Sequence, residues 1–584
     1  MTQCEASVQL AWQRKADALV VQFTQGRVSN DDLMGEFSGQ WKTGEGANRL
    51  PGVLDLTASI GRGQVKQVYR YLPNTIPVDV RTYLREALRG GEANKVSLRL
   101  RGDLQHMPFD DPKLGEFRVV AQVVDGEYAY VPPAPAKGKS ASVLNWPALT
   151  QVNGELVFDR SALHFKGRTQ MASAPNVTWQ KVEVHIPNLA EPVVNVVGEA
   201  KGPLQQVLDT VSKTALNDLT GGVLSKSQAK GDAAYKLSLT LPIHQLDASK
   251  VQGSVVFSDN ALQVIPGTPV LDHAKGTLQF TEQGFKLDAL QAELLGGHAA
   301  FSGGLSFAAH EDKSPLALKI QGELTAKGLR QARELGLVSR LADRATGGTA
   351  YVATVGLRRG QPELHIRSDL KGMALSLPAP LNKTAAAKMP LRIATELTRE
   401  SLDPKSRTLQ DQISVTLDRL VSVVYVRDVS GPRARVVRGG IAVGQSVVDA
   451  IPMRDNAVTL NLQLPAVDLD AWNVVLTQIT GTSPIKRKQS SGKIIGSEAN
   501  GDDGQEYMPT FAALQAGQIK VSDRIIHKVV VGGSRQGDLW RVNISADELN
   551  GSAEVRPPQG NTPAQLFVRL AHLNIPPSSV PDVE

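Results

Sequence analysis

Hydrophobic and polar positions alternate along most of this chain. In AKGTLQFTEQGFKLDALQAELLGGHAAFSGGLSF, which runs from Ala274 to Phe307, Leu278 and Phe280 point to one side while Thr277, Gln279 and Thr281 point to the other. That period of two is the signature of a half-buried strand. A turn at Gln283-Gly284 and a Gly-Gly pair separate one alternating run from the next. Three stretches read as copies of one strand: VNGELVFD (Val152–Asp159), VQGSVVFS (Val251–Ser258) and AKGTLQFT (Ala274–Thr281), each with Gly third and Phe seventh. FSGGLSF near Phe301 and IQGELTA near Ile320 are looser relatives. Repetition at this density is architecture, and it predicts on the order of 30 strands, far more than an ordinary sheet holds.

Helical periodicity interrupts this pattern rarely. GQVKQVYRYLP and VDVRTYLREALRGG read as short helices, the second ending at Gly90. PLQQVLDTVSKTALNDLTGG follows, with Pro203 in its first turn, then LRQARELGLVSRLADRATGG and LDAWNVVLTQITG. These groups recur at roughly 125–140-residue intervals. The expected segments are 1–130, with helices near 64–90; a mobile loop at 131–142; 143–327, with a helix near 203–219; 328–479, with a helix near 329–346; a flexible linker at 480–507; and a truncated segment at 508–584. The fold class is mainly β: an elongated, curled antiparallel sheet forming a repeating groove, with a few short amphipathic helices.

Composition narrows the function. Aromatic residues are 5% of the chain, so the apolar faces of these strands use Leu, Val and Ala and fill an interior poorly. That favours an open groove over a packed sandwich. The net charge of +6 is spread over polar strand faces, and no basic stripe interleaved with aromatics points to nucleic acid. Cys4 is the single cysteine, so neither an internal disulfide nor a cysteine metal site is expected. GRGQVK lacks the third glycine of a dinucleotide turn, GKS at Gly138–Ser140 lacks the upstream glycine of a phosphate loop, and NGDDGQE lacks the alternating ligands of an EF-hand. The expectation is a protein that is not an enzyme, with no cofactor, no metal and no catalytic residue. The start has no signal-peptide pattern and no stretch approaches a membrane span. The end would leave an open sheet edge, so a fragment truncated at both ends is expected.

Several words resemble the YhdP family of large AsmA-like, TamB-related proteins. RYLPNTIPVDVRTYLREALRGGEANKVSLRLRGDLQHMPF (Arg70–Phe109) carries Tyr71-Leu72-Pro73, Ala87-Leu88-Arg89-Gly90-Gly91 and Pro108-Phe109 in the family's order. WPALTQVNGELVFDRSALHFKG, SDLKGMALSLPAPLNKTAAAKMPLRI and LWRVNISADELNGSAEVRP are similar to later family elements. The resemblance implies a protein anchored in the inner membrane and extending through the periplasm, whose apolar β-groove is a conduit for phospholipids between inner and outer membranes. A scaffold for outer-membrane protein assembly and a structural β-solenoid are the alternatives. The residues expected to line the groove are Leu156, Phe158, Val255, Phe257, Leu278, Phe280, Leu460 and Leu462.

Overall fold

A computed structural model describes residues 4–15, 18–44, 49–132, 146–214, 217, 222–306, 317–359, 361–403, 406–431, 434–444, 453–480, 505–537, 539–556 and 565–574. Strands account for 63% and helices for 14%, which makes the protein mainly β as the alternation predicts. The chain divides into two units, Met1–Leu290 and Gln291–Glu584.

In the first unit the strands are β1 (Glu5–Lys15), β2 (Ala18–Ser29), β3 (Leu33–Lys42), β4 (Val53–Gln64), β5 (Leu88–Asp103), β6 (Gly115–Tyr128), β7 (Leu149–Asp159), β8 (Ala162–Met171), β9 (Ala174–Ile186), β10 (Val193–Pro203), β11 (Gln228–Lys230), β12 (Asp232–Pro242), β13 (Lys250–Gln263) and β14 (Leu271–Thr281). The unit boundary falls within β15 (Gly284–Leu294). Each strand from β1 to β10 pairs antiparallel with the next. The ladder continues from β10 to β12, β13 and β14, while the short β11 pairs with β13.

The second unit contains β16 (Gly297–Ser306), β17 (Leu318–Thr325), β18 (Ala345–Arg358), β19 (Gln361–Ser368), β20 (Met373–Leu375), β21 (Leu391–Leu397), β22 (Gln410–Leu417), β23 (Val421–Asp428), β24 (Arg435–Val443), β25 (Val458–Asp468), β26 (Phe511–Val521), β27 (Arg524–Gln536), β28 (Leu539–Ser545), β29 (Leu549–Arg556) and β30 (Gln565–Leu573). It too is a ladder, with β20 paired to β18 and β19 passing directly to β21. The ladder is antiparallel apart from two pairings: β24–β25 and β25–β26 are parallel. A parallel neighbour needs a crossover instead of a hairpin, and the connection from β25 to β26 contains a helix, Leu469–Thr480. Among the described residues no pairing closes either ladder into a barrel.

The helices are α1 (Val78–Ala87), α2 (Leu204–Lys213), α3 (Ala326–Gln331), α4 (Leu337–Leu341), α5 (Arg399–Leu402) and α6 (Leu469–Thr480), with a 3-10 turn at Val65–Arg70. In the first unit α1 and α2 both lie at the rim where β4, β6 and β10 end; in the second, α3, α4 and α6 share the rim where β17, β24 and β25 end. Two expectations need correction. Gly90 does not terminate α1, because β5 already begins at Leu88. The expected single helix near 329–346 is four short pieces, broken where Gly336 takes φ 56° between a 3-10 turn and α4. The expected loop at 131–142 and linker at 480–507 fall mostly outside the described residues.

Strand after strand in the first unit carries a bulge. Gln25, Lys95, Asp125 and Gln151 take left-handed backbone angles at shifts of register in β2, β5, β6 and β7. An extra residue at such a point bends the strand and raises its twist.

Candidate functional site

In each ladder, cross-strand partners place like with like. In the first unit one row runs Phe37–Ala58–Leu98–Val119–Phe158–Leu163–Ile186 from β3 to β9. Beside it, Leu156–Phe165–Val184–Val196–Leu239–Val251 runs from β7 to β13. In the second unit a row crosses every strand of the main ladder from β16 to β30. It begins Phe301–Ile320–Ala353–Ile366–Ile393–Val415–Val423. It continues Ile441–Leu460–Ala512–Gly533–Val542–Ala553–Val568. A parallel row runs Leu391–Leu417–Val421–Val443–Leu462–Leu514–Val531–Ile544. These rows contain no charged or polar residue.

The opposite faces are charged. Glu199 lies between Lys181 and Lys236, at 3.3 and 3.5 Å, and Lys166 reaches Glu183 at 3.4 Å. Arg118 pairs with Asp159 at 3.2 Å, Asp55 with Arg99, and Arg541 with Glu554 at 3.2 Å. The cations hold the Asp55 and Glu199 carboxyls below the usual carboxylate range, through hydrogen bonds from Arg99 and from Lys181 first. Charge on one face against apolar rows on the other assigns the charged faces to water; the exception is the Arg427–Asp411 pair, which lies on the apolar face toward the far end of β22 and β23 and is largely buried.

The apolar rows are only half covered. Of the eight residues expected to line the groove, Phe257 is buried and the other seven are half-buried. Leu156 and Phe158 lie on neighbouring rows of one face. Val255, Leu278 and Phe280 occupy the same face at its β13–β14 end, where Val255 partners Leu278 and Gly253 partners Phe280. Leu460 and Leu462 lie on the two apolar rows of the second unit. Helices cover parts of these faces near the rim. Leu204 and Leu208 of α2 are buried. Trp472 of α6 packs with Leu464, Leu514 and Val531 against the buried cluster of Val467, Ala516, Ile519 and Val529.

The repeated strand word explains itself here. Two copies pair so that Gly253 faces Phe280 and Phe257 faces Gly276, around a central Val255–Leu278 pair. The members of the rows that the alternation alone misses, such as Val423 and Ile441, belong to strands with apolar residues on both faces. In β23, Val426 on the opposite face is 1% exposed, which hides the period of two.

The words shared with the family fasten the ends of strands. Phe109 is fully buried, and a Cβ on Gly102 or Gly115 would collide with its ring. Lys383 is 7% exposed, its ammonium donating to the carbonyls of Met373 and Thr384 at 2.7 and 3.0 Å, and burial lowers its pKa. Among known families, the whole chain, residues 1–584, matches the family model described as YhdP protein. The chain belongs to the YhdP protein family. A curated relative, the intermembrane phospholipid transporter YhdP of Escherichia coli (strain K12), is 24% identical over 350 residues, covering 59% of this chain and 26% of the relative. The matched region thus spans about a quarter of that relative. No solved structure matches the chain. Among the described residues, no helix is long and apolar enough to cross a membrane, and no group of three or more His, Cys, Asp or Glu side chains forms a metal centre.

Proposed function

We propose that the apolar faces carry the acyl chains of phospholipids, as a section of a periplasmic conduit between inner and outer membranes. The observation that carries this is the uninterrupted apolar row of the second unit, half-buried with a charged face behind it. At about 4.8 Å per strand it follows roughly 60 Å of ladder, twice the ~30 Å of a bilayer's hydrocarbon core. A carrier pocket for one lipid needs far less. Passage of a ~16-carbon chain through water costs on the order of 13 kcal/mol, at about 0.8 kcal/mol per methylene. An apolar face that keeps the chain covered removes that barrier without catalytic residues, so the protein acts by binding and not by bond chemistry. Leu156, Phe158, Val255, Phe257, Leu278, Phe280, Leu460 and Leu462 are the proposed lining.

The test places a charge on each face of the same strands. Phe280→Asp and Leu462→Asp put an unpaired carboxylate among acyl chains, a cost of several kcal/mol. Both are expected to abolish photocrosslinking of phospholipid along the face and to weaken the outer membrane. Gln279→Asp and Gln463→Asp, on the opposite face, leave both measurements unchanged. Equal effects from the two faces in folded, normally expressed protein defeat the conduit, and crosslinks to outer-membrane β-barrels in place of lipid favour the assembly scaffold.

A further inference from the structure

Three glycines on the apolar faces are not explained by their backbone. Gly26, Gly198 and Gly439 lie in ordinary extended conformation, outside the positive-φ positions. Nor is a neighbouring main chain the nearest obstacle at any of them. A Cβ at Gly26 would stand 2.6–2.8 Å from ring carbons of Phe37, its three nearest atoms. At Gly198 it would meet the Trp179 indole at 2.7 and 2.8 Å, with the next atom, the Lys181 carbonyl oxygen, at 3.8 Å. At Gly439 it would meet the Tyr425 ring at 2.5 and 2.7 Å, and the Val424 carbonyl oxygen at 3.3 Å. Cβ atoms essentially never approach carbon so closely, so the ring alone demands glycine at each position.

Each aromatic therefore passes across its neighbouring strand. Gly26 and Phe37 are direct partners, as are Gly439 and Tyr425, and Gly198 neighbours the Ala200 that partners Trp179. A ring in contact with the backbone stands about 3.5–4 Å above it; a ring projecting from the sheet reaches further into the space above the apolar rows. We propose that Gly26 and Gly198 are positioning residues that hold the Phe37 and Trp179 rings down and keep the acyl-chain path clear; at Gly439 the Tyr425 ring is instead covered by Tyr507, whose ring centroid lies 5.1 Å away. The inference rests on the acyl-chain reading of the face. It also accounts for bulky aromatics on a surface that must admit a ligand.

The experiment uses full-length protein with a photocrosslinking residue at Leu239, whose row neighbours the Gly198–Leu237 pair, and vesicles of phosphatidylethanolamine and phosphatidylglycerol. Gly198→Ala is expected to cut the lipid adduct several-fold while circular dichroism stays unchanged, and Gly198→Ala/Trp179→Leu is expected to restore it. A glycine that served stability alone would give no such rescue, because the double variant also loses the indole that covers the strand. Full adduct in Gly198→Ala, or no recovery in the double variant, overturns the proposal. Should Gly198→Ala fail to fold, Gly26→Ala with Phe37→Leu as its rescue, read at Leu98, is expected to show the same loss and the same recovery, and the absence of either overturns the proposal equally. Absence of adduct in the unsubstituted glycine protein overturns the acyl-chain reading itself, and this proposal with it.

Discussion

Asn260 shows how little slack a single residue has in such a sheet. It is fully buried in β13, where the register with β14 shifts. Its amide donates to the carbonyls of Lys230 and Asp232, each at 3.2 Å, and its oxygen accepts from the Ser258 amide at 3.1 Å. A buried donor or acceptor stripped of its partner costs about 1–3 kcal/mol. Asn260→Ala strips several at once, so it is expected to destabilise the first unit by roughly 2–3 kcal/mol, read as a lower urea midpoint at unchanged slope. Nothing in SDNALQ announces this role. The residue pattern marks Asn260 as one polar position among others, and its partners lie about thirty positions upstream, beyond any local signal. By contrast, the directions of Leu278, Phe280 and Leu462 are legible, because a polar neighbour on each side fixes which way a strand side chain points.

Elements were legible in proportion to how local their causes are. The hairpins follow from alternation and turn residues, and α1, α2 and α6 from their amphipathic spacing. The breaks in 326–344 do not, since Gly336 ends one turn and begins the next only in the folded context. The parallel strands are equally silent: β25 reads like any alternating run, and its direction depends on the crossover through α6. That helix is held at its rim by packing and by polar ties. Trp472 Nε1 donates to the Ala379 carbonyl at 3.2 Å, and the Ser522 amide donates to Asp470 at 2.6 Å. Val475 is 3% exposed. Truncating a half-buried Trp costs roughly 2–3 kcal/mol, below the range for a fully buried one. Trp472→Ala is expected to lower the urea stability of the second unit by that amount. Trp472→Phe, which keeps most of the ring contact and loses one hydrogen bond, loses about 1 kcal/mol. Equal losses would show that α6 is tied by the hydrogen bond and not by packing.

Across the molecule, the charged faces make stability depend on acid. Asp55 and Glu199 are held below their ordinary values by the arginine and lysines beside them. A carboxyl whose pKa is depressed on folding stabilises fully above its unfolded value, near pH 4, and loses that contribution as pH falls through the lower folded value. The urea midpoint should therefore be flat from about pH 7 to pH 5 and fall below about pH 4. Salt should flatten that fall, because these pairs are exposed and screened. A decline that begins near pH 6 would point to histidine, such as His164, whose pKa is lowered by burial first, in place of the carboxylates.

The reciprocal pairing of Gly253 with Phe280 and of Phe257 with Gly276 has an evolutionary reading. A strand whose third residue suits its own seventh is complementary to a copy of itself laid antiparallel. Tandem duplication of such a strand supplies a partner that already fits, with a glycine of each copy opposite a phenylalanine of the other. Growth by duplication then needs no new interface to be invented, and a lineage can lengthen its sheet one hairpin at a time. The same self-complementarity sets a hazard: wherever a strand of this type lies at an open edge, a second molecule presents an equally good mate, and selection must keep such edges occupied.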